Sequence, residues 1–295
     1  MGDYVLSCCS TADLTEEQLK EYGIEYVCYH FEIDGKEYLD DLGKSIDFHD
    51  FYKAMEDGAM TRTSQVSVGE YTEYFKGFLE AGKDIIHLTL SSGISGTYNS
   101  AMIAKSELED IYPDRKIYVI DSLAASGGFG LLMMILSEKK KEGMGVDELA
   151  KWAEENKLKL QHWFFTSDLT YLIRGGRVSK ASGAVGKILN ICPLLNVDFE
   201  GKLISRMKVR TKKKVELEQV NKMIEHAEGG RDYTGKVIIT QADCYDDAKD
   251  VADLIEKTFP KMDGKVIINY IGTTIGSHTG PGTVALFFWG DKRVD

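Results

Sequence analysis

Proline is scarce in this chain, with four in 295 residues. That excludes a polyproline spacer or a proline-rich recognition segment. Tight turns fall instead to glycine, present 29 times, which suits short connections between strands and helices. Cysteine is sparse and odd in number, at five. Cys8, Cys9, Cys28, Cys192 and Cys244 offer no pair at metal-ligand spacing, so no metal is expected. The adjacent Cys8 and Cys9 would point to opposite faces of a strand, and all five read as reduced thiols of a cytoplasmic protein. The longest apolar run, "GGFGLLMMIL" (Gly127–Leu136), is too short to cross a bilayer. No basic segment followed by an apolar stretch opens the chain, so no secretory signal is expected. Positive charge is in deficit: 36 Lys and Arg against 47 Asp and Glu, a net charge of -11. A general nucleic-acid binder needs a basic face, so nucleic acid is not an expected partner.

One stretch runs against that charge. "RMKVRTKKK", Arg206–Lys214, carries six basic residues in nine. It reads either as a solvated strand end entering a helix or as a docking patch for an acidic partner or a transient membrane surface.

What is present is an alternation of strand and helix. "YVLSCCS" is a strand and "TEEQLKEYG" a helix closed by Gly23. "IEYVCYHFEIDGKEYLDD" reads as a hairpin turning at Asp34-Gly35. Ser67 and Glu70 have capping-box spacing, so a helix begins there and Thr63–Val66 before it is expected to be a loop. "DIIHLTL" and "KIYVIDS" are strands, each followed by a helix, the second helix with a small, flexible start. The pattern predicts a largely parallel sheet covered by helices over residues 1–158. Residues 159–295 read as an α+β unit with mixed strands, including "ASGAVGKILN" as a further element and a second hairpin turning at Glu200-Gly201. The fold class is therefore α/β with two domains that pack closely.

Ligands of open parallel sheets bind at the carboxyl ends of the strands. Three polar loops are expected there: "TSQVS" (Thr63–Ser67), "SSGISGT" (Ser91–Thr97) and "DSLAAS" (Asp121–Ser126). A fourth, "GTTIGSHTGPG" (Gly272–Gly282), brings His278. Hydroxyls and helix starts bind anions. The phosphate-cradling G-x-x-x-x-G-K-[ST] and the G-x-G-x-x-G fingerprint are both missing from these loops. A singly charged carboxylate held by uncharged donors fits the set better than a triphosphate does. Two enzyme readings stand as alternatives. Ser95 in "GISGT" has the strand–turn–helix context of a hydrolase nucleophile, but Thr97 stands where G-x-S-x-G needs glycine. His278 could instead anchor a small ketone covalently, as in dihydroxyacetone kinases.

Six ordered stretches resemble the DegV family of bacterial fatty-acid-binding proteins: "CSTADL", "TSQVS", "SSGISGTYNSA", "IDSLAAS", "YLIRGGRVS" and "IGSHTGPGTVAL". The resemblance implies a two-domain α/β carrier, not an enzyme, that binds one long-chain fatty acid and needs no cofactor. It implies that the carrier presents the acid to the ATP-binding subunit of a fatty acid kinase and receives an acyl phosphate. Thr63, Ser95 and His278 would hold the carboxylate, and Arg174 and Arg206 would lie near the mouth, where the kinase docks. "GFGLLMMIL" and "GAVGKILNICPLL" are then candidate tunnel walls. Burying an acyl chain of about 16 carbons contributes on the order of 10 kcal/mol at ~0.8 kcal/mol per methylene, so the head group orients more than it anchors. The chain departs from the family pattern at Val66, usually proline, and at Cys9, usually aspartate.

Overall fold

The computed structural model describes residues 3–179 and 191–294. The chain opens with β1 (Tyr4–Cys9), α1 (Glu16–Tyr22) and β2 (Ile24–Val27). Thr15 and Gln18 form a capping box at the start of α1, and Gly23 ends it in the left-handed conformation, φ +61. A hairpin follows, β3 (His30–Ile33) and β4 (Lys36–Leu39), then α2 (Phe48–Glu56), β5 (Thr61–Ser64) and α3 (Val68–Glu80). The turn residues Asp34 and Gly35 both have positive φ, as a two-residue hairpin turn requires. Next come β6 (Asp84–Thr89), α4 (Thr97–Ile111), β7 (Ile117–Asp121), α5 (Gly127–Lys141) and α6 (Val146–Asn156).

Strands β1, β2, β6 and β7 form an all-parallel sheet in the order β2-β1-β6-β7. Every residue of β1 and β6 is buried, because helices cover both faces. Two expectations change here. The run Ile24–Asp41 is not one hairpin: its first four residues join the parallel sheet, and only β3 and β4 pair across the turn. Nor is Thr63 in a loop. It lies in β5, which pairs antiparallel with β3 and sets Thr63 opposite Phe31 in a separate three-stranded sheet, β4-β3-β5. "TRTS" has no apolar alternation, and its extended form comes from that pairing.

The second half supplies β8 (Leu160–Phe165), α7 (Thr170–Arg174), β9 (Ile191–Val197), β10 (Leu203–Arg210) and α8 (Lys212–His226). It continues with β11 (Val237–Gln241), α9 (Tyr245–Thr258), β12 (Ile267–Tyr270), α10 (Thr273–Thr279) and β13 (Val284–Trp289). "ASGAVGKILN" lies outside the described residues. The six strands order as β10-β9-β8-β13-β11-β12, antiparallel except for β11 with β12. The segment around His278, read as a loop, is the two-turn helix α10. Among the described residues no helix is long and apolar enough to cross a membrane.

Helix α5 joins the two large sheets. Its glycine start is packed rather than loose: an added Cβ on Gly127 would meet Ile238 and Thr240 at 2.8 Å, and one on Gly128 would run into His162 Nε2. Phe129, Met133 and Met134 are fully buried in a core that also holds Leu6, Ile238 and Phe287, so it spans both sheets. A second core lies between the six-stranded sheet and α8 and α9, and a small third one, with Phe31, Phe51 and Tyr52, supports the three-stranded sheet.

Two buried carboxylates fix α10 against the first half. Asp13 Oδ1 accepts the Gly272 N–H at 2.9 Å, and Ser126 Oγ donates to Oδ2. Asp40 accepts Thr273 Oγ1 at 2.8 Å and Ser10 Oγ at 3.1 Å. Burial raises both pKa values, and the proximity of Asp40 adds to the rise at Asp13. These bonds make their burial tolerable and set the position of α10.

Candidate functional site

A cavity sits where the three sheets meet. Its far wall is mostly apolar: Phe164, Ala285 and Phe287 from the six-stranded sheet, Val197 and Leu203 beside the β9–β10 turn, and Leu90. The "DSLAAS" segment contributes Ala125 and Ser126. Phe129, Met133 and Met134 are core and do not line it, so "GFGLLMMIL" is not the tunnel wall; Gly183–Asn190 of the other candidate wall lies outside the described residues.

Polar groups gather at one end. Thr63, from β5, meets His278, from α10: Oγ1 and Nε2 are 2.8 Å apart. Ser95, after β6, meets Tyr29, between β2 and β3, with 3.0 Å from Oγ to Oη. Gln65, just after β5, ties that strand to α4 and its N-cap Gly96. Its Nε2 donates to Ser100 Oγ at 2.8 Å, and its side chain leaves no room for a Cβ at Gly96.

Hydrogen-bond logic assigns the imidazole proton. Among the described residues His278 Nδ1 has no hydrogen-bond partner; it is buried against Gly175. An unmet acceptor costs less than an unmet N–H, so the proton belongs on Nε2 and is donated to Thr63 Oγ1. The Thr63 O–H is then free to turn into the cavity. Burial, with Arg177 and Arg174 nearby, pulls the His278 pKa down to about 4, so the ring is neutral near pH 7.

A cation also lines this end. Arg177 donates from Nε to the Ile94 carbonyl at 3.2 Å and from Nη1 to the Gly175 carbonyl at 2.5 Å. The expectation of wholly uncharged donors is therefore corrected: a guanidinium, able to pair with an anion, borders the hydroxyls. Arg177 is the second arginine of "IRGGR", a stretch in which only Arg174 drew notice. Tyr29 belongs to no motif, and no local signal marks it.

The remaining candidates fall elsewhere. Arg174 is exposed and outside the cavity wall, its guanidinium 5.1 Å from the Tyr171 ring and 3.2 Å from Met60 Sδ. Arg206, on β10, donates to Asn196 Oδ1 at 2.8 Å and lines a different pocket with Trp163 and His226. Asn196 and Val197 alternate across β9, so Arg206 stands on the face of the sheet away from the cavity. A hydrolase triad is not assembled. Among the described residues Ser95 bonds Tyr29 and Thr97, not His278, and no carboxylate meets Nδ1 of that histidine.

The two departures from the family pattern are absorbed by the core. Val66 is fully buried. Cys9 is buried too, with Sγ 3.2 Å from Tyr71 Oη, and burial raises its pKa to about 11, so it stays a thiol.

Residues 9–291 match the model of the family described as "Uncharacterised protein, DegV family". A DegV domain-containing protein of Clostridium perfringens is 38% identical over 99% of both chains. A protein of Thermotoga maritima named "Fatty acid-binding protein" is 34% identical over 93% of both chains. Among solved structures, Thermotoga maritima TM841, described as revealing a fatty acid binding function, aligns with a TM-score of 0.84 at 28% identity. That alignment covers 99% of this chain and 100% of the other.

Proposed function

The chain belongs to the DegV family, and from that premise we propose that it binds one long-chain fatty acid. The carboxylate sits among Thr63, Ser95 and His278, and the acyl chain lies along the apolar wall. The observation that carries this reading is the convergence of a hydroxyl–imidazole pair, a hydroxyl–phenol pair and a guanidinium on one end of a cavity whose remaining wall is mostly apolar, with Ser126, His162, Thr274, Thr279 and Thr283 as its other polar residues. A largely apolar pocket with a few convergent polar groups is the usual form of a small-molecule site. The relatives named for fatty acid binding support the ligand class.

In this reading the protein is a carrier, not an enzyme, and uses no cofactor or metal. It works in the cytoplasm and presents the carboxylate to the ATP-binding subunit of a separate fatty acid kinase. A carboxylate oxygen attacks the terminal phosphorus of ATP, ADP leaves, and the acyl phosphate remains with the carrier. Hydroxyl donors orient the carboxylate, while methylene burial at ~0.8 kcal/mol each supplies most of the affinity. Arg174, exposed beside the polar end, is the docking contact for the kinase.

Calorimetric titration with palmitate tests the binding step: one equivalent should bind. A flat titration of lipid-free protein would end the proposal. Arg174→Glu should slow phosphorylation by the kinase and leave palmitate binding intact.

A further inference from the structure

We infer that Tyr29 is a positioning residue that makes Ser95 a hydrogen-bond donor toward the ligand, and that the site thereby selects head groups that only accept. The inference rests on the fatty-acid reading and adds the rule by which the polar end chooses its ligand.

Tyr29 is clamped before its side chain begins. Its N–H donates to Ser10 Oγ at 3.1 Å, and its carbonyl accepts the Asp40 N–H at 2.9 Å. The residue is 3% exposed, so the phenol is packed on all sides. Burial also raises its pKa, so the phenol keeps its single hydrogen.

Two hydroxyls neighbour that hydrogen, Ser95 and Thr97, and Ser95 Oγ is the one at 3.0 Å. Phenols are more acidic than aliphatic alcohols, and their oxygen lone pairs, delocalised into the ring, accept less well. In the 3.0 Å contact Tyr29 therefore donates and Ser95 Oγ accepts. A second donor, the N–H of Thr97 at the start of α4, reaches the same Oγ at 3.3 Å. With both lone pairs engaged, the serine has only its own hydrogen left, and the cavity is where it can go. The opposite wall has the same logic: His278 Nε2 donates to Thr63 Oγ1 and sends that hydroxyl hydrogen outward. Two walls thus present two O–H donors, with the Arg177 guanidinium beside them.

A carboxylate, or the phosphoryl group of an acyl phosphate, offers only acceptors and satisfies both. An alcohol or a primary amide brings a hydrogen of its own, which meets a donor already committed. Discrimination of this kind comes from leaving a buried polar group unpaired.

The test uses the full-length, lipid-free protein with palmitate and hexadecanol as probes, in wild type, Tyr29→Phe, Ser95→Ala and the double variant. Tyr29→Phe should weaken palmitate binding about three- to tenfold and leave hexadecanol binding unchanged. In the Ser95→Ala background the same change should cost nothing further, because Tyr29 acts through that hydroxyl. Equal losses for the acid and the alcohol, or losses that add in the double variant, would overturn the inference while leaving fatty acid binding standing. Wild-type protein that binds neither probe would overturn both.

Discussion

Thr63 and His278 are 215 positions apart, yet Oγ1 of one lies 2.8 Å from Nε2 of the other. The bond joins the three-stranded sheet to α10 and aims a hydroxyl into the cavity. Thr63→Ala should weaken palmitate binding about three- to tenfold, the worth of one net hydrogen bond, while Thr63→Ser should bind nearly as well as wild type. Displacement of a fluorescent fatty acid measures both. A serine variant as weak as the alanine variant would mean that the threonine methyl, not the hydroxyl, matters.

Gly175 controls the other side of the same imidazole. Its backbone is right-handed, φ -73, so alanine is tolerated there conformationally. An added Cβ would nonetheless run into His278 Nδ1. Gly175→Ala should push the ring off Thr63 and weaken palmitate binding at least as much as Thr63→Ala does. The melting temperature should change little, since α7 itself is not strained. Calorimetry and a thermal melt check the two halves. Unchanged binding would show that the ring can swing without consequence.

Buried neutral histidines make stability depend on pH. His87 is fully buried, with Nδ1 2.8 Å from Ser7 Oγ, and burial lowers its pKa to about 3. A histidine depressed in the folded state contributes stability that is complete above its ordinary value of 6.5 and is lost as pH falls below it. His278, at about 4, has the same sign. Asp13 and Asp40 have the opposite sign: with raised pKa values, their contribution is present below 3.8 and lost as pH rises through the folded values. His87→Gln should be less stable than wild type at pH 7.5. The gap should narrow by about 2 kcal/mol at pH 5, the effect of roughly 1.5 pH units below 6.5 at ~1.4 kcal/mol each. Urea midpoints at the two pH values measure it, and a constant gap would contradict the assignment.

The parts of the fold legible in the sequence are those set by local physics. The capping box at Ser67, the left-handed Gly23 and the Asp34-Gly35 turn all depend on neighbours within four residues. So does the strand–helix alternation that gives the parallel sheet. What escaped depends on distant partners. "TRTS" becomes β5 because β3 lies beside it. "TTIGSHT" becomes α10 because Asp13 and Asp40 hold its first turn and Tyr52 Oη donates to the Ile271 carbonyl. A seven-residue run rich in glycine, serine and threonine has little helix propensity of its own.

The polar end was legible in the same way. Ser95 and His278 stand out as a hydroxyl and an imidazole in glycine-bearing stretches, Thr63 as a hydroxyl in the polar "TSQVS", and all three line the cavity. Tyr29 does not stand out, because nothing within its own segment says that a cavity is near; Arg177 stands in the glycine-bearing "YLIRGGRVS", but which of its two arginines faces the cavity depends on packing. Arg206 sits in the most basic run of the chain, but β-strand alternation carries it to the far face of the sheet.

Native mass spectrometry of the protein as first purified from a bacterial host tests the central claim most directly. The account expects a mass excess equal to one long-chain fatty acid, lost on delipidation, restored by added palmitate, and restored poorly in a Thr63→Ala, Ser95→Ala double variant. A protein that carries no lipid, and takes up none when palmitate is supplied, would contradict it.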